Sequence, residues 1–169
     1  MQQNENTITA IISFMKYIIL ILAIFFSACS VKNYEHTQTK IIIIKSPKIK
    51  FADIGYLRNS DNSIELELFI AGKAIEKISI NHLICVSEGC MSKSGFNEDY
   101  LHPSYPNEIL QNILLGQEIY NGKTKVKTDG GFEQRIETES ANIVYRVNQD
   151  SILFKDRKNK IIFKIKDTK

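Results

Sequence analysis

Apolar and charged residues alternate with a period of two along much of this chain, a pattern that only β-strands satisfy. The clearest stretch is Ile64-Glu65-Leu66-Glu67-Leu68, extending through Ile70. Ile49 and Phe51 alternate with Lys48 and Lys50, and Ile78 and Ile80 repeat the pattern ahead of Leu83–Val86. Later, Ile143, Tyr145 and Val147, then Ile152 and Phe154, then Ile161, Phe163 and Ile165, do the same. Successive strand side chains point to opposite faces, so each stretch has one apolar and one wet side. The run Ile41–Ile44 is β-branched and favours a strand, with Pro47 interrupting it. Leu57–Ser63, Ala71-Gly72-Lys73, Gly130-Gly131 and Asp156–Asn159 supply turn residues between the runs.

The pattern predicts seven or eight strands, with a different middle. Lys93–Pro106 reads as an irregular crossing segment. Pro106 and Glu108 suit the start of a helix, and Ile109, Leu110, Ile113 and Leu114 recur at helical spacing before Gly116. One short helix with an apolar face must cover something. The expected fold is mainly β (α+β): a strongly curved antiparallel sheet, or an incomplete β-barrel, with one helix packed across its concave side.

The N-terminus carries a different signal. Tyr17–Ser30 reads YIILILAIFFSACS, with Lys16 just ahead. A membrane span wants about 20 apolar residues, and Tyr17–Ala28 is too short. Adding Ile8–Met15 would place Lys16 near the bilayer centre, at a cost of about 3 kcal/mol. A positive residue, a short apolar core and small residues at the end instead make a secretion signal. Phe26-Ser27-Ala28-Cys29 resembles the lipobox of bacterial lipoproteins, departing from it only in Phe26, where leucine is usual. That resemblance implies cleavage before Cys29, a diacylglyceryl group on its sulfur and a further acyl chain, such as palmitate, on the new amine. The expected division is a signal peptide over 1–28, with Met15-Lys16 opening its functional part, a lipidated tether over 29–40 and a single β-rich domain over 41–169. Two or three acyl chains make release from a bilayer very slow. No aspartate follows Cys29, so the expected location is the periplasmic face of the outer membrane.

Three cysteines are present. With Cys29 lipidated, Cys85 and Cys90 remain, and outside the cytoplasm such a pair is expected to be a disulfide. His82, Cys85, Cys90 and His102 are zinc-ligand types in loose spacing, but oxidation would remove both sulfurs, and no metal or cofactor is expected. No catalytic signature appears, so an enzyme is not expected; the residual candidate cluster is His82, Asp99 and His102. Lysines crowd 40–50, 123–127 and 155–169, while the net charge is only +3 and aromatics are not interleaved with them. That excludes a nucleic-acid partner and leaves either a solvated face or contact with anionic head groups.

The KSPKIKFADIGY strand, the Cys85/Cys90 pair, Phe96–Pro106 and the tail ending NKIIFKIK are similar to a family of small lipoproteins from the epsilon group of proteobacteria. The order of helix and C-terminal strands is similar to that of LolB-type outer-membrane lipoprotein receptors. The second resemblance implies a half-open barrel whose cavity takes acyl chains from a periplasmic carrier, although the polar turn near Asn59–Ser63 lacks the apolar loop residue of such receptors. From the residues themselves, Phe96, Tyr100, Tyr105, Ile109, Ile113 and Leu114 are either core or the lining of an apolar pocket where the helix leans on a concave sheet. The expected function is a lipid-anchored acceptor of lipid or lipoprotein cargo. The alternative is a structural or assembly lipoprotein that works through protein contacts, for instance by strand addition at a free edge such as Ile41–Ile44.

Overall fold

The computed structural model describes residues 15–16, 34 and 36–168. The chain divides into two compact units, Met1–Asn33 and Tyr34–Lys169. In the first, Met15 and Lys16 are helical; the signal-like run and Cys29 lie outside the described residues. Among the described residues, every member of the core cluster belongs to the second unit, which therefore carries what it needs to fold by itself.

That unit is two meanders joined by a helical crossing. β1 (His36–Lys45), β2 (Lys50–Ser60), β3 (Ser63–Ile70), β4 (Lys73–Ile80), β5 (Ile84–Val86) and β6 (Gly89–Met91) come first. Then follow α1 (Lys93–Tyr100), α2 (Ile109–Leu115) and a 3-10 turn at Tyr120–Gly122. β7 (Val126–Thr128), β8 (Gly131–Glu137), β9 (Asn142–Val147), β10 (Ser151–Asp156) and β11 (Ile161–Asp167) complete the chain. All eleven strands form one antiparallel sheet in the order β6-β5-β4-β3-β2-β1-β11-β10-β9-β8-β7.

This order overturns the expected curved sheet or incomplete barrel. The first and last strands pair with each other at the middle of the sheet, Ile42 opposite Ile165 and Ile44 opposite Phe163. The ends of the sheet are the short strands β6 and β7, which do not meet, and the sheet neither curls nor closes. The half-open barrel implied by the likeness to lipoprotein receptors is accordingly not the architecture. Closure is unnecessary because the crossing segment covers the apolar face. Ile42, Leu66, Ile78, Tyr145, Phe154 and Phe163 on that face share one core with Phe96, Leu110, Ile113 and Ile119 from the crossing.

Two helices cross the sheet where one is expected. α1 lies within the segment read as irregular. Gly95, Asn97 and Asp99 are poor helix formers, but Ser92 caps the first turn by accepting from the Gly95 amide at 3.0 Å. Burial of Phe96 and Tyr100, whose rings stack at 4.6 Å, supplies the rest. α2 ends at Gly116, which takes the left-handed conformation (φ 65°) that glycine tolerates best. The segment after it is tied down by Gln134, fully buried on β8. Its side-chain oxygen accepts from the Ile119 amide at 2.9 Å, and its amide group donates to the carbonyls of Ile119 and Lys123.

The sheet also begins earlier than the sequence suggests. His36–Lys40, read as tether, pairs with Gly55–Asn59 of β2. Ile41–Ile44 is consequently a central strand segment, bonded on both sides, and not a free edge.

Candidate functional site

The residues expected to line an apolar hollow are instead packed against one another. Phe96, Tyr100, Tyr105, Ile109, Ile113 and Leu114 are each at most 4% exposed and belong to the single core cluster. Two of them explain why. Tyr105 donates to the Asp156 carboxylate at 2.6 Å and meets Phe154 edge-on at 5.9 Å. Tyr100 reaches across to Glu88 at 2.9 Å, with the Lys48 ammonium 4.6 Å from its ring centre. Burial, helped by Glu88, pushes the Tyr100 phenol up to about 12.

Space does exist one turn further along. A cleft of about 410 Å³ opens where the C-terminal end of α2 stands over β1, β2, β10 and β11. Leu57, Leu114, Leu115, Val147, Ile152 and Ile165 form its apolar floor. His36, Gln38, Lys40, Asn148, Asp150 and Asp167 make a polar rim, with Lys40 and Asp167 paired across it. The cleft exists because α2 stops at Gly116. A Cβ there would come within 3.2 Å of Val147 and 3.3 Å of Ile152. Tyr145 holds that helix end in place, its hydroxyl donating to the Gln117 carbonyl at 2.8 Å with the Asn112 carbonyl at 3.1 Å. Burial pushes the Tyr145 phenol upward, so it stays a donor at any ordinary pH. Polar residues outnumber apolar ones in the lining, so the cleft suits a short apolar chain bearing a polar end, and the volume lies in the usual range for small-ligand sites. Leu114, on the cleft floor, is the one expected lining residue the structure places there. Ile109 and Ile113 stand out by helical spacing and Phe96, Tyr100 and Tyr105 by their aromatic rings, signals that report burial and not what does the burying.

The cysteines lie elsewhere. Cys85 and Cys90 are directly opposite in the β5–β6 hairpin and are joined by a disulfide, which fastens the last turn of the sheet edge. His82 is exposed in the turn after β4. His102 hydrogen-bonds through Nδ1 with the Ser104 hydroxyl at 2.8 Å, and Asp99 faces Lys48 at 3.5 Å. Among the described residues no group of three metal-ligand side chains converges, and no helix is long and apolar enough to cross a membrane.

The N-terminal end of the domain is held by an ionic cluster that the sequence did not announce. Glu65, only 3% exposed, points away from the helices. It accepts from the Tyr34 hydroxyl at 2.6 Å and from Arg58 at 2.8 Å, and pairs with Lys77 at 2.7 Å. Arg58 also reaches Glu67 at 2.8 Å. Burial pushes the Glu65 carboxyl up, but the bonds from Lys77, Tyr34 and Arg58 outweigh it and hold the group below its ordinary value. The only hint in the sequence is that Arg58, Glu65, Glu67 and Lys77 share the wet parity of their strands.

No protein-family model, no curated protein and no solved structure matches this chain.

Proposed function

We propose that this chain is an outer-membrane lipoprotein of the periplasmic face, anchored by acyl chains on Cys29, and that it accepts the acyl part of a lipid or lipoprotein without catalysing bond chemistry. The observation that carries the reading is the cleft beneath the end of α2, an apolar floor with a polar rim on a domain whose first strand follows closely behind Phe26-Ser27-Ala28-Cys29. Transfer from a periplasmic carrier would need only a higher affinity in this cleft than in the donor.

Two measurements separate the parts of the proposal. Intact-mass analysis of the native protein should give a chain beginning at Cys29 with added lipid; a full-length, unmodified chain would remove the anchor. Titration of Tyr34–Lys169 with a fluorescent fatty acid or an acylated peptide should saturate, and Leu115→Lys, which places a charge on the cleft floor, should abolish binding. Absence of saturation, or binding indifferent to that substitution, would end the acceptor reading.

A second reading rests on the open sheet. β7 is an edge strand with Val126, Lys127 and Thr128 all exposed, Val126 at 63%. An assembly lipoprotein could take a partner's strand there. Crosslinking in intact membranes followed by purification would then yield one stoichiometric complex, whereas an acceptor would yield varied lipoproteins.

A further inference from the structure

The face of the sheet turned away from the helices is neither bare nor uniformly polar. Register places its residues in rows across the strands. One row runs Lys50, Lys45, Ile162, Lys155, Val144, Arg135 from β2 to β8. The next runs Ala52, Ile43, Lys164, Leu153, Arg146. A third holds Ile54, Ile41, Lys166 and Ser151. Isoleucine and lysine thus interleave over the centre of the sheet, and Ile41 and Ile54 are each 43% exposed. Lys45, Lys50, Lys155, Lys164 and Lys166 make no ion pair among the described residues. The carboxylates bordering this area are mostly neutralised. Glu65 and Glu67 are held by Arg58 and Lys77, and Glu133 by Arg135 and Arg146. Glu137, at the far end of β8, is the exception. With strands about 4.8 Å apart, the area from β2 to β9 is roughly 20 Å wide.

We propose that this face of the sheet lies on an anionic bilayer surface, with Lys45, Lys50, Lys155, Lys164 and Lys166 against lipid head groups and Ile41, Ile43, Ile54, Leu153 and Ile162 at the interface. Two observations choose this occupant over a protein. The unpaired charge at the centre of the face is lysine alone, spread over several strands, which complements a fluid negative surface better than a shaped partner. The chain also enters on this side, because Tyr34 is bonded to Glu65 on the face away from the helices. Cys29 lies only five residues before Tyr34 in the sequence. The orientation rests on the anchoring reading proposed above; the affinity of the face does not. Lysine stems cover apolar surface while their ammonium groups reach the phosphates. With the sheet lying this way, the cleft under α2 opens on the side facing away from the membrane.

The test uses the unacylated domain Tyr34–Lys169, so that it stands whether or not Cys29 carries lipid. Sedimentation with vesicles of equimolar phosphatidylglycerol and phosphatidylcholine should show binding that weakens as salt is raised. Vesicles of phosphatidylcholine alone should bind little. Each lysine removed from the face should weaken binding about fivefold, so that K45Q/K155Q/K164Q together lose about a hundredfold. K73Q/K123Q/K160Q, which makes the same change in net charge elsewhere, should change binding by about threefold or less. The chain has no tryptophan, so Ile54→Trp provides a single reporter whose emission should shift to the blue on anionic vesicles, whereas Ile70→Trp should not. No binding to anionic vesicles, equal binding to neutral ones, equal losses for the two triple variants, or equal responses from the two reporters would each overturn the proposal.

Discussion

Asp156→Asn tests whether the helical crossing is held to the sheet by one buried carboxylate. Asp156 is fully buried. Its Oδ1 accepts from the amides of Lys158 at 2.8 Å and of Asn142 and Asn159 at 3.2 Å. Its Oδ2 accepts from the Tyr105 hydroxyl at 2.6 Å and the Asn159 side chain at 2.8 Å. Tyr105 lies on the crossing between α1 and α2, so this bond ties helix layer to sheet. An asparagine keeps one oxygen for the amides but sets an NH2 group against the two donors that Oδ2 received. Bonds to a charged acceptor contribute about 1.5–3 kcal/mol each, and the phenol can turn to accept from the new amide, so the net loss should be about 3 kcal/mol. For a domain of this size that lowers the melting temperature by roughly 10 °C.

The pH dependence gives an independent check. Burial pushes the Asp156 carboxyl up, but the bonds from Tyr105, Asn142 and Asn159 outweigh it and hold the group below its ordinary 3.8. A carboxyl depressed in the folded state stabilises above the unfolded value, and that stability is lost as pH falls through the folded one. The gap between wild type and Asp156→Asn should therefore be full at neutral pH and shrink below about pH 4. Urea unfolding of Tyr34–Lys169 at several pH values measures it. In a cycle with Tyr105→Phe the pair should couple by about 1 kcal/mol or more. A loss under about 1 kcal/mol at neutral pH, or a gap that grows on acidification, would refute the reasoning.

Gly131→Ala should cost at least about 2 kcal/mol, because the added Cβ would sit 1.8 Å from the Val147 carbonyl oxygen and force β8 from β9. Gly72→Ala, at an open turn with φ 78°, meets nothing within 4 Å and should cost only about 1 kcal/mol; equal losses in thermal melts would contradict the packing. Burial, then the bond to Glu65, raises the Tyr34 phenol to about 12. Its contribution to stability is therefore complete below the unfolded value near 10 and is lost as pH rises toward 12. Alkaline unfolding of wild type and Tyr34→Phe should converge across that window, and a constant separation would count against the cluster.

Much of the secondary structure is legible in the sequence because its cause is local. Alternation marks β3, β9, β10 and β11, and the spacing of Ile109, Leu110, Ile113 and Leu114 marks α2 together with its stop at Gly116. α1 is not legible, since Gly95, Asn97 and Asp99 argue against a helix that only the burial of Phe96 and Tyr100 sustains. The cleft was hidden for a related reason. Helical spacing says that Ile109 and Ile113 are covered, whereas the empty volume depends on where α2 ends relative to Val147 and Ile152.

By itself the sequence determined the alternating strands, the turns between them, the cysteine pair and the lipobox-like Phe26–Cys29, all of which follow from neighbours a few residues apart. The tertiary structure alone decided that β1 pairs with β11, leaving the sheet open with β6 and β7 as its edges. It likewise decided that lysines from β1, β2, β10 and β11 share one face. Both depend on which distant strands become neighbours and in what register. A period of two assigns a side chain to one of two faces but does not say which residue of another strand will lie beside it.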